Sequence, residues 1–192
     1  MSGNKIADAG LVALASVFEQ EVAALEMLDI SGNALEEGGV AALAKALSGS
    51  TGLKTVRLAS HPLPIQELKT RAKVEMDGQK LTDFDVQFMA EVLSATGDVG
   101  PPTVPAMSLG YNAITEKGAA MLAGAIGSGS LRLLQLNLRG NKVGRDGALA
   151  LVEATMRSGC PLQLLDLSDN GICGLSEDGE GKYSLDVVLA IC

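Results

Sequence analysis

The chain has 192 residues and a formal net charge of −8, with 47% apolar and 20% charged residues. This composition excludes a mainly disordered polymer, and the acidic balance argues against nucleic acid or an anionic membrane surface as a partner. Aromatic residues make up only 3% of the chain, so its core must be aliphatic, which directs attention to internal repeats.

A frame of apolar residues ending in an asparagine recurs along the chain. Its pattern, L-x-x-L-x-L-x-x-N-x-L, begins at Leu25 and places its asparagine, called the marker below, at Asn33. The marker positions in chain order are Asn4, Asn33, His61, Gln79, Asn112, Asn141 and Asn170, the copies at His61 and Gln79 being weaker. Most intervals are 28 or 29 residues, long enough for a strand and a helix in each unit. Alternating apolar residues predict a strand before each marker. We expect the marker asparagine to form hydrogen bonds with free backbone groups in the bend that follows the strand.

Each marker is followed by apolar residues at helical spacing. They lie 7, 10 and 14 positions after the marker, on one face of a helix. In chain order they are Leu11, Leu14, Phe18; Val40, Leu43, Leu47; Val86, Met89, Leu93; Ala119, Leu122, Ile126; and Ala148, Leu151, Thr155. Position +6 is glycine in four of these units, and Asp85 is the exception. A residue without a Cβ suits a crowded helix start.

These residues resemble the ribonuclease-inhibitor-like class of leucine-rich repeats over roughly residues 3–172. The resemblance implies an α/β solenoid shaped as a horseshoe arc, with a parallel β-sheet on the concave face and α-helices on the convex face. It implies about six to seven units and protein binding as the commonest activity. The segments Leu63–Thr70 and Val74–Leu81 resemble repeat arrays of algae and other unicellular eukaryotes, which favours such a source.

Two units depart from the pattern. The interval from His61 to Gln79 is too short for a crossing helix, and Pro62 and Pro64 bar a regular helix start. We expect one helical turn at most there, and therefore a helix-less unit with a notch on the convex side. The next unit carries an extra loop at 97–102, and an acidic, Gly-rich surface loop is expected at 174–181. Helical spacing returns at Leu185, Val188 and Cys192.

The whole chain, residues 1–192, is expected to form a single leucine-rich repeat domain. It starts in the middle of a repeat and stops inside a predicted helix, and neither end shows the polar cap that solenoids need. The chain is therefore interpreted as a piece of a longer array, the alternative being that its ends contact a partner in a multi-protein assembly.

Outward-facing strand residues lie two, four and six positions before each marker and form a mixed polar strip without aromatic residues. Tyr111, one position before Asn112, lies on the rim of this strip. Arg57 and Arg139 are the best candidate anchors, because arginine and aromatic residues dominate interface energies. A solvated surface residue is the alternative for each. The candidate partner-binding residues are Asp29, Arg57, Glu75, Asp77, Tyr111, Asn137, Arg139 and Asp166.

Motifs for catalysis and for cofactor or metal binding are missing from the sequence. A Cys–His pair or a Ser–His–Asp set would need His61, the single histidine, which stands beside two prolines. There is no P-loop, no G-x-G-x-x-G after a strand and no H-E-x-x-H. We therefore expect no enzyme activity, no cofactor and no metal. Three unevenly spaced cysteines favour reduced thiols and a cytoplasmic protein.

The sequence favours a non-enzymatic scaffold that binds a protein through the concave strip or its rim. Two alternatives stay open. One is a regulator that activates a small GTPase through a rim residue. The other is a structural component of a large cytoskeletal or ciliary assembly.

Overall fold

A computed structural model of the protein describes residues 1–18, 25–49, 52–70, 73–94 and 103–172. Helices and strands alternate along these residues. The helices are α1 (Asp8–Phe18), α2 (Glu37–Gly49), α3 (Ile65–Thr70), α4 (Asp83–Ser94), α5 (Glu116–Gly127) and α6 (Gly144–Ser158). The strands are β1 (Met27–Asp29), β2 (Thr55–Arg57), β3 (Pro62–Pro64), β4 (Val74–Glu75), β5 (Thr103–Val104), β6 (Met107–Ser108), β7 (Arg132–Leu133), β8 (Gln135–Asn137) and β9 (Leu164–Asp166).

The described strands form three small sheets with mainly parallel pairing. Strands β4, β6, β8 and β9 form the largest sheet, and every pair in it is parallel. Strands β5 and β7 form a second parallel pair. In the third sheet β1 pairs in parallel with β2, but β3 runs antiparallel to β2. The mixed α/β architecture agrees with a leucine-rich repeat fold, whereas parallel pairing throughout was expected and is wrong at β3.

The core follows the periodicity of the sequence. The predicted helix positions are buried, as Leu11, Leu43 and Val86 show. The exceptions are Leu14 and Thr155, which are half-buried. The strands add their inward residues to the same hydrophobic cluster. The aliphatic composition is therefore a property of the repeat, since Leu, Val and Ala fill equivalent positions in each unit.

The marker asparagines form a hydrogen-bonded ladder between units. Asn141 Oδ1 accepts a hydrogen bond from Ile114 N at 3.1 Å, and its Nδ2 donates to Leu138 O at 2.8 Å. Equivalent bonds run from Ile6 N to Asn33, from Leu81 N to Asn112 and from Val143 N to Asn170. The predicted role of the marker in the bend is confirmed.

The glycine at +6 marks a close approach between neighbouring helices. A Cβ on Gly147 would lie 3.0 Å from the Cβ of Ala119 in the preceding helix. A Cβ on Gly118 would lie 2.9 Å from Ile114 and would also collide with Asp83, at the start of α4. The expected crowding is therefore present, but the preceding unit supplies much of it.

The third unit differs from its prediction in two ways. It is not helix-less, because α3 spans six residues. The notch expected in the helix layer is also wrong, because α4 packs against both α2 and α3. Gln87 Nε2 in α4 donates to Glu37 O in α2 at 2.9 Å, and Lys117 of α5 pairs with the Glu37 carboxylate at 2.6 Å. The irregularity is instead the reversal of the chain into β3.

Several predictions lie outside the described residues. These are the loops at 97–102 and 174–181, the spacing of Leu185, Val188 and Cys192, and the state of Cys173. Cys160 is described, and its thiol is free. Among the described helices, none combines the length and the apolar content required to cross a membrane.

Candidate protein-binding surface

The eight candidate residues lie on two separate parts of the outward strand face. Asp29 ends β1 and Arg57 ends β2, in the sheet that β3 closes. The other six lie in strands of the four-stranded sheet or within three residues after them: Glu75, Asp77, Tyr111, Asn137, Arg139 and Asp166. Because β3 and β4 are not paired, the polar strip is not continuous.

Three candidates close the ends of their own strands. Asp29, Asn137 and Asp166 all stand four positions before a marker. Each accepts a hydrogen bond through Oδ1 from the backbone N–H two residues later, at 3.0, 2.9 and 3.0 Å respectively. This is an Asx turn, and the D-x-S and N-x-R spacing could have revealed it in the sequence. These side chains therefore have a structural role that the sequence reasoning missed.

The Asx turns also set the charge state of the aspartates. The Ser31 hydroxyl, followed by the Ser31 N–H and Arg57, lowers the pKa of Asp29 below its usual value. The Ser168 hydroxyl and N–H lower the pKa of Asp166 in the same way. Hydrogen bonds to a carboxylate stabilise its charged form, so both groups are anionic at neutral pH.

Arg57 is held in an ion pair with Asp29 and is not free to reach a partner. Its Nη1 lies 3.2 Å from Asp29 Oδ2, and both side chains are only about one third exposed. Its Nε is buried and has no hydrogen-bond partner among the described residues. Of the two arginines that the sequence favoured, Arg57 is therefore the poorer anchor.

Asp77 and Glu75 also have partners on the strand face. Asp77 accepts hydrogen bonds from Gly110 N at 2.6 Å and from Ser108 Oγ at 2.8 Å. Asn137 Nδ2 donates to the same hydroxyl at 3.0 Å, which links two candidates through Ser108. Glu75 forms an exposed ion pair with Lys73, and exposed pairs of this kind contribute little.

Tyr111, Arg139 and Asp169 form a compact group, called the rim cluster below. The Arg139 guanidinium carbon lies 6.0 Å from the centre of the Tyr111 ring, and Arg139 Nε donates to Asp169 Oδ2 at 2.9 Å. Tyr111 N donates to Arg139 O at 2.7 Å. Tyr111 remains 59% exposed although its backbone is fixed. An exposed aromatic ring beside an exposed arginine is the side-chain combination typical of interface hot spots.

Backbone geometry distinguishes the rim cluster from the rest of the strand face. The position directly before the marker takes a positive φ and is a glycine in four units: Gly3, Gly32, Gly78 and Gly140. Tyr111 and Asp169 stand at this position with φ of 54° and 57°. A left-handed conformation costs a non-glycine residue about 1 kcal/mol or more. The Tyr111 ring also covers Gly140, where a Cβ would come within 2.5 Å of it.

Asp169 was not a candidate in the sequence analysis. Its position before Asn170 matches that of Tyr111 before Asn112, and this equivalence is the signal that could have identified it. Among the described residues, no group of three or more His, Cys, Asp or Glu is arranged to hold a metal ion.

Comparison with known proteins bears on the repeats. A family model described as Leucine Rich repeat matches residues 1–15 and 131–152. The human Protein NLRC5 is 29% identical over 194 aligned residues, which cover 100% of this chain. Together these matches support a leucine-rich repeat protein. The chain spans only 9% of the length of NLRC5. Repeats of this kind suggest a role in protein–protein interaction.

Proposed function

We propose that this chain is a non-enzymatic scaffold that binds a protein partner through the rim cluster. In this proposal its units are of the ribonuclease-inhibitor-like class and form a curved solenoid, with the rim cluster at the edge of the concave face. We further propose a cytoplasmic location and a place in a multi-protein assembly. The whole-chain match to NLRC5 and the leucine-rich repeat model match support a binding role.

The observation that carries the proposal is the strained backbone of Tyr111. A tyrosine in a position that favours glycine loses folding free energy, and its ring regains little of it while 59% exposed. Residues retained under such strain cluster at binding and catalytic sites. A partner that covers the ring and pairs with Arg139 would offset this loss of folding free energy with binding free energy.

The Tyr111→Gly variant separates binding from folding. We expect it to be as stable as the unchanged chain or more stable, because glycine relieves the positive φ. We expect it to lose the partner that the unchanged chain captures in a quantitative affinity experiment, by at least about tenfold in affinity, as for a hot-spot residue.

Lys80→Gly is the matched control. Lys80 is exposed, has a φ of 59° and lies outside the rim cluster, so glycine relieves the same kind of strain there. This variant should capture the partner normally. Unchanged capture by Tyr111→Gly would contradict the proposal.

The two other functions considered from the sequence are not favoured by a specific contact in the described part of the chain. A GTPase-activating arginine must reach a nucleotide, yet Arg57 is held by Asp29 and both side chains are only about one third exposed.

A further inference from the structure

The asparagine ladder follows one rule in the regular units. The marker Oδ1 accepts from the backbone N–H two residues after the preceding marker, as Asn141 does from Ile114 N at 3.1 Å. The marker Nδ2 donates to the carbonyl three residues before the preceding marker, as Asn141 does to Leu109 O at 2.9 Å. Each unit therefore leaves one N–H and one carbonyl for the asparagine of the next unit.

The rule fails after the second unit. The third unit has His61 at its marker position, and the chain reverses there into β3. Leu35 N–H is the group that a third asparagine would bind, and among the hydrogen bonds of the described residues none is donated by it. The corresponding carbonyl, Ile30 O, is buried and accepts, among the hydrogen bonds of the described residues, from Asn33 Nδ2 alone.

The carbonyls of the regular units show what Ile30 O lacks. Leu109 O accepts from the Nδ2 groups of both Asn112 and Asn141, each at 2.9 Å. Leu138 O likewise accepts from two marker asparagines. One amide donor is therefore missing at Ile30 O and one amide acceptor at Leu35 N–H.

A groove of about 480 Å³ lies at this point in the molecule. Its lining includes the turn 32–35, Leu58 and Ala59, and residues 82–84. Its lining is mainly apolar and includes Leu35 and Phe84, and the Lys117 ammonium lies 5.6 Å from the centre of the Phe84 ring. The groove occupies the place that the turn of a regular third unit would fill.

We propose that this groove binds a turn of a protein partner that carries an asparagine followed two residues later by an aliphatic side chain. Leu35 lines the groove, and its N–H is complementary to the side-chain oxygen of an asparagine, which accepts the equivalent N–H in the regular units. The aliphatic residue packs between Leu35 and Phe84, as Ile114 and Val143 fill the core beside their own asparagines. The partner thus supplies the hydrogen-bond acceptor that Leu35 N–H lacks, at a surface distinct from the rim cluster.

A peptide taken from this chain tests the proposal. Residues 107–115, M-S-L-G-Y-N-A-I-T, carry a marker asparagine followed two residues later by isoleucine and contain no charged side chain. Added to the full chain, the peptide should cause saturable shifts in the amide NMR signals of Leu35 and Gly32. It should also slow hydrogen exchange at Leu35 N–H. Replacing the peptide's asparagine by alanine should weaken binding about tenfold or more.

Two Ala→Trp variants of the chain serve as a matched pair. Ala34 is exposed on the groove wall, so Ala34→Trp should abolish peptide binding. Ala120 is exposed on α5, and Ala120→Trp should bind the peptide normally. The Tyr111→Gly chain should also bind it normally, so failure here is distinguishable from failure of the rim cluster. Absence of saturable shifts at Leu35, or equal binding of the alanine peptide, overturns the proposal.

Discussion

At the scale of single residues, Asp85 shows how a local exception can report a tertiary irregularity. It stands at the +6 position, where four other units have glycine, and it is fully buried. Its Oδ2 accepts from Thr82 N and from the Thr82 hydroxyl, both at 2.8 Å. The preceding helix is the short α3, so this exception to the glycine rule directly follows the irregular unit.

Burial raises the pKa of Asp85 above its usual value, against the opposing effects of the Thr82 hydrogen bonds and of His61. Its Oδ1 is buried without a hydrogen-bond partner among the described residues. Below the unfolded-state pKa of about 4 both states are protonated, so this group then has no effect on the free energy of unfolding. As the pH rises toward the folded-state pKa the unfolded chain ionises first, and stability is lost.

We therefore expect Asp85→Asn to be more stable than the unchanged chain at neutral pH. Asparagine still accepts from Thr82 through its oxygen and carries no charge to desolvate. Urea unfolding between pH 4 and 8 should show a smaller loss of stability with rising pH in the variant. Parallel pH profiles for the two chains would refute this assignment.

At the scale of elements, two of the three glycines in helix α5 lie in opposite environments. Gly118 faces Ile114 and Asp83 so closely that a Cβ would collide with both. Gly124, in the same helix, has no heavy atom within 4 Å of the position that its Cβ would take. The packing between units, rather than helix propensity, therefore explains Gly118.

Alanine substitutions should separate these two effects. Gly118→Ala should destabilise the chain by about 1–3 kcal/mol, because the neighbouring turn must shift. Gly124→Ala should stabilise it by about 0.5–1 kcal/mol through the higher helix propensity of alanine. Thermal unfolding followed by circular dichroism measures both. A stabilising Gly118→Ala would show that the units are not closely packed at α5.

At the scale of the whole molecule, the third unit interrupts the strand pairing but not the packing of the helices. Parallel pairing ends at β2, because β3 runs antiparallel to β2 and is not paired with β4, whereas α2 packs directly against α4. The hydrogen bond from Gln87 to Glu37 and the ion pair from Lys117 to Glu37 cross the same junction. The first two units are therefore coupled to the later ones largely through helices.

Gln87→Ala should weaken this coupling. Gln87 is 8% exposed, so the variant loses a buried side chain and one hydrogen bond, about 1–2 kcal/mol in total. Stability in repeat arrays depends on contacts between neighbours, so α1 and α2 should lose more protection than α5 and α6. Native-state hydrogen exchange measures this, and an equal loss in all four helices would contradict it.

The candidate surface was only partly predictable from the sequence. Spacing before the marker placed all eight candidates in strands or within three residues after them, and it singled out Tyr111 at the rim. It did not reveal that Asp29, Asn137 and Asp166 close Asx turns, nor that Arg57 is held by Asp29. These hydrogen bonds and this ion pair depend on which residues are neighbours in space, whereas the spacing of residues in the sequence indicates only which face of the strand a side chain lies on.

The sequence by itself determined the repeated strand–helix unit, the buried positions such as Leu43 and Val86, and the role of the marker asparagines. These features follow from side-chain periods within a single unit, which local geometry sets. Only the tertiary structure decided the reversal into β3, the contact of α2 with α4 and the groove beside Leu35. Each of these depends on how one short unit packs between two regular ones, and no period within a unit contains that information.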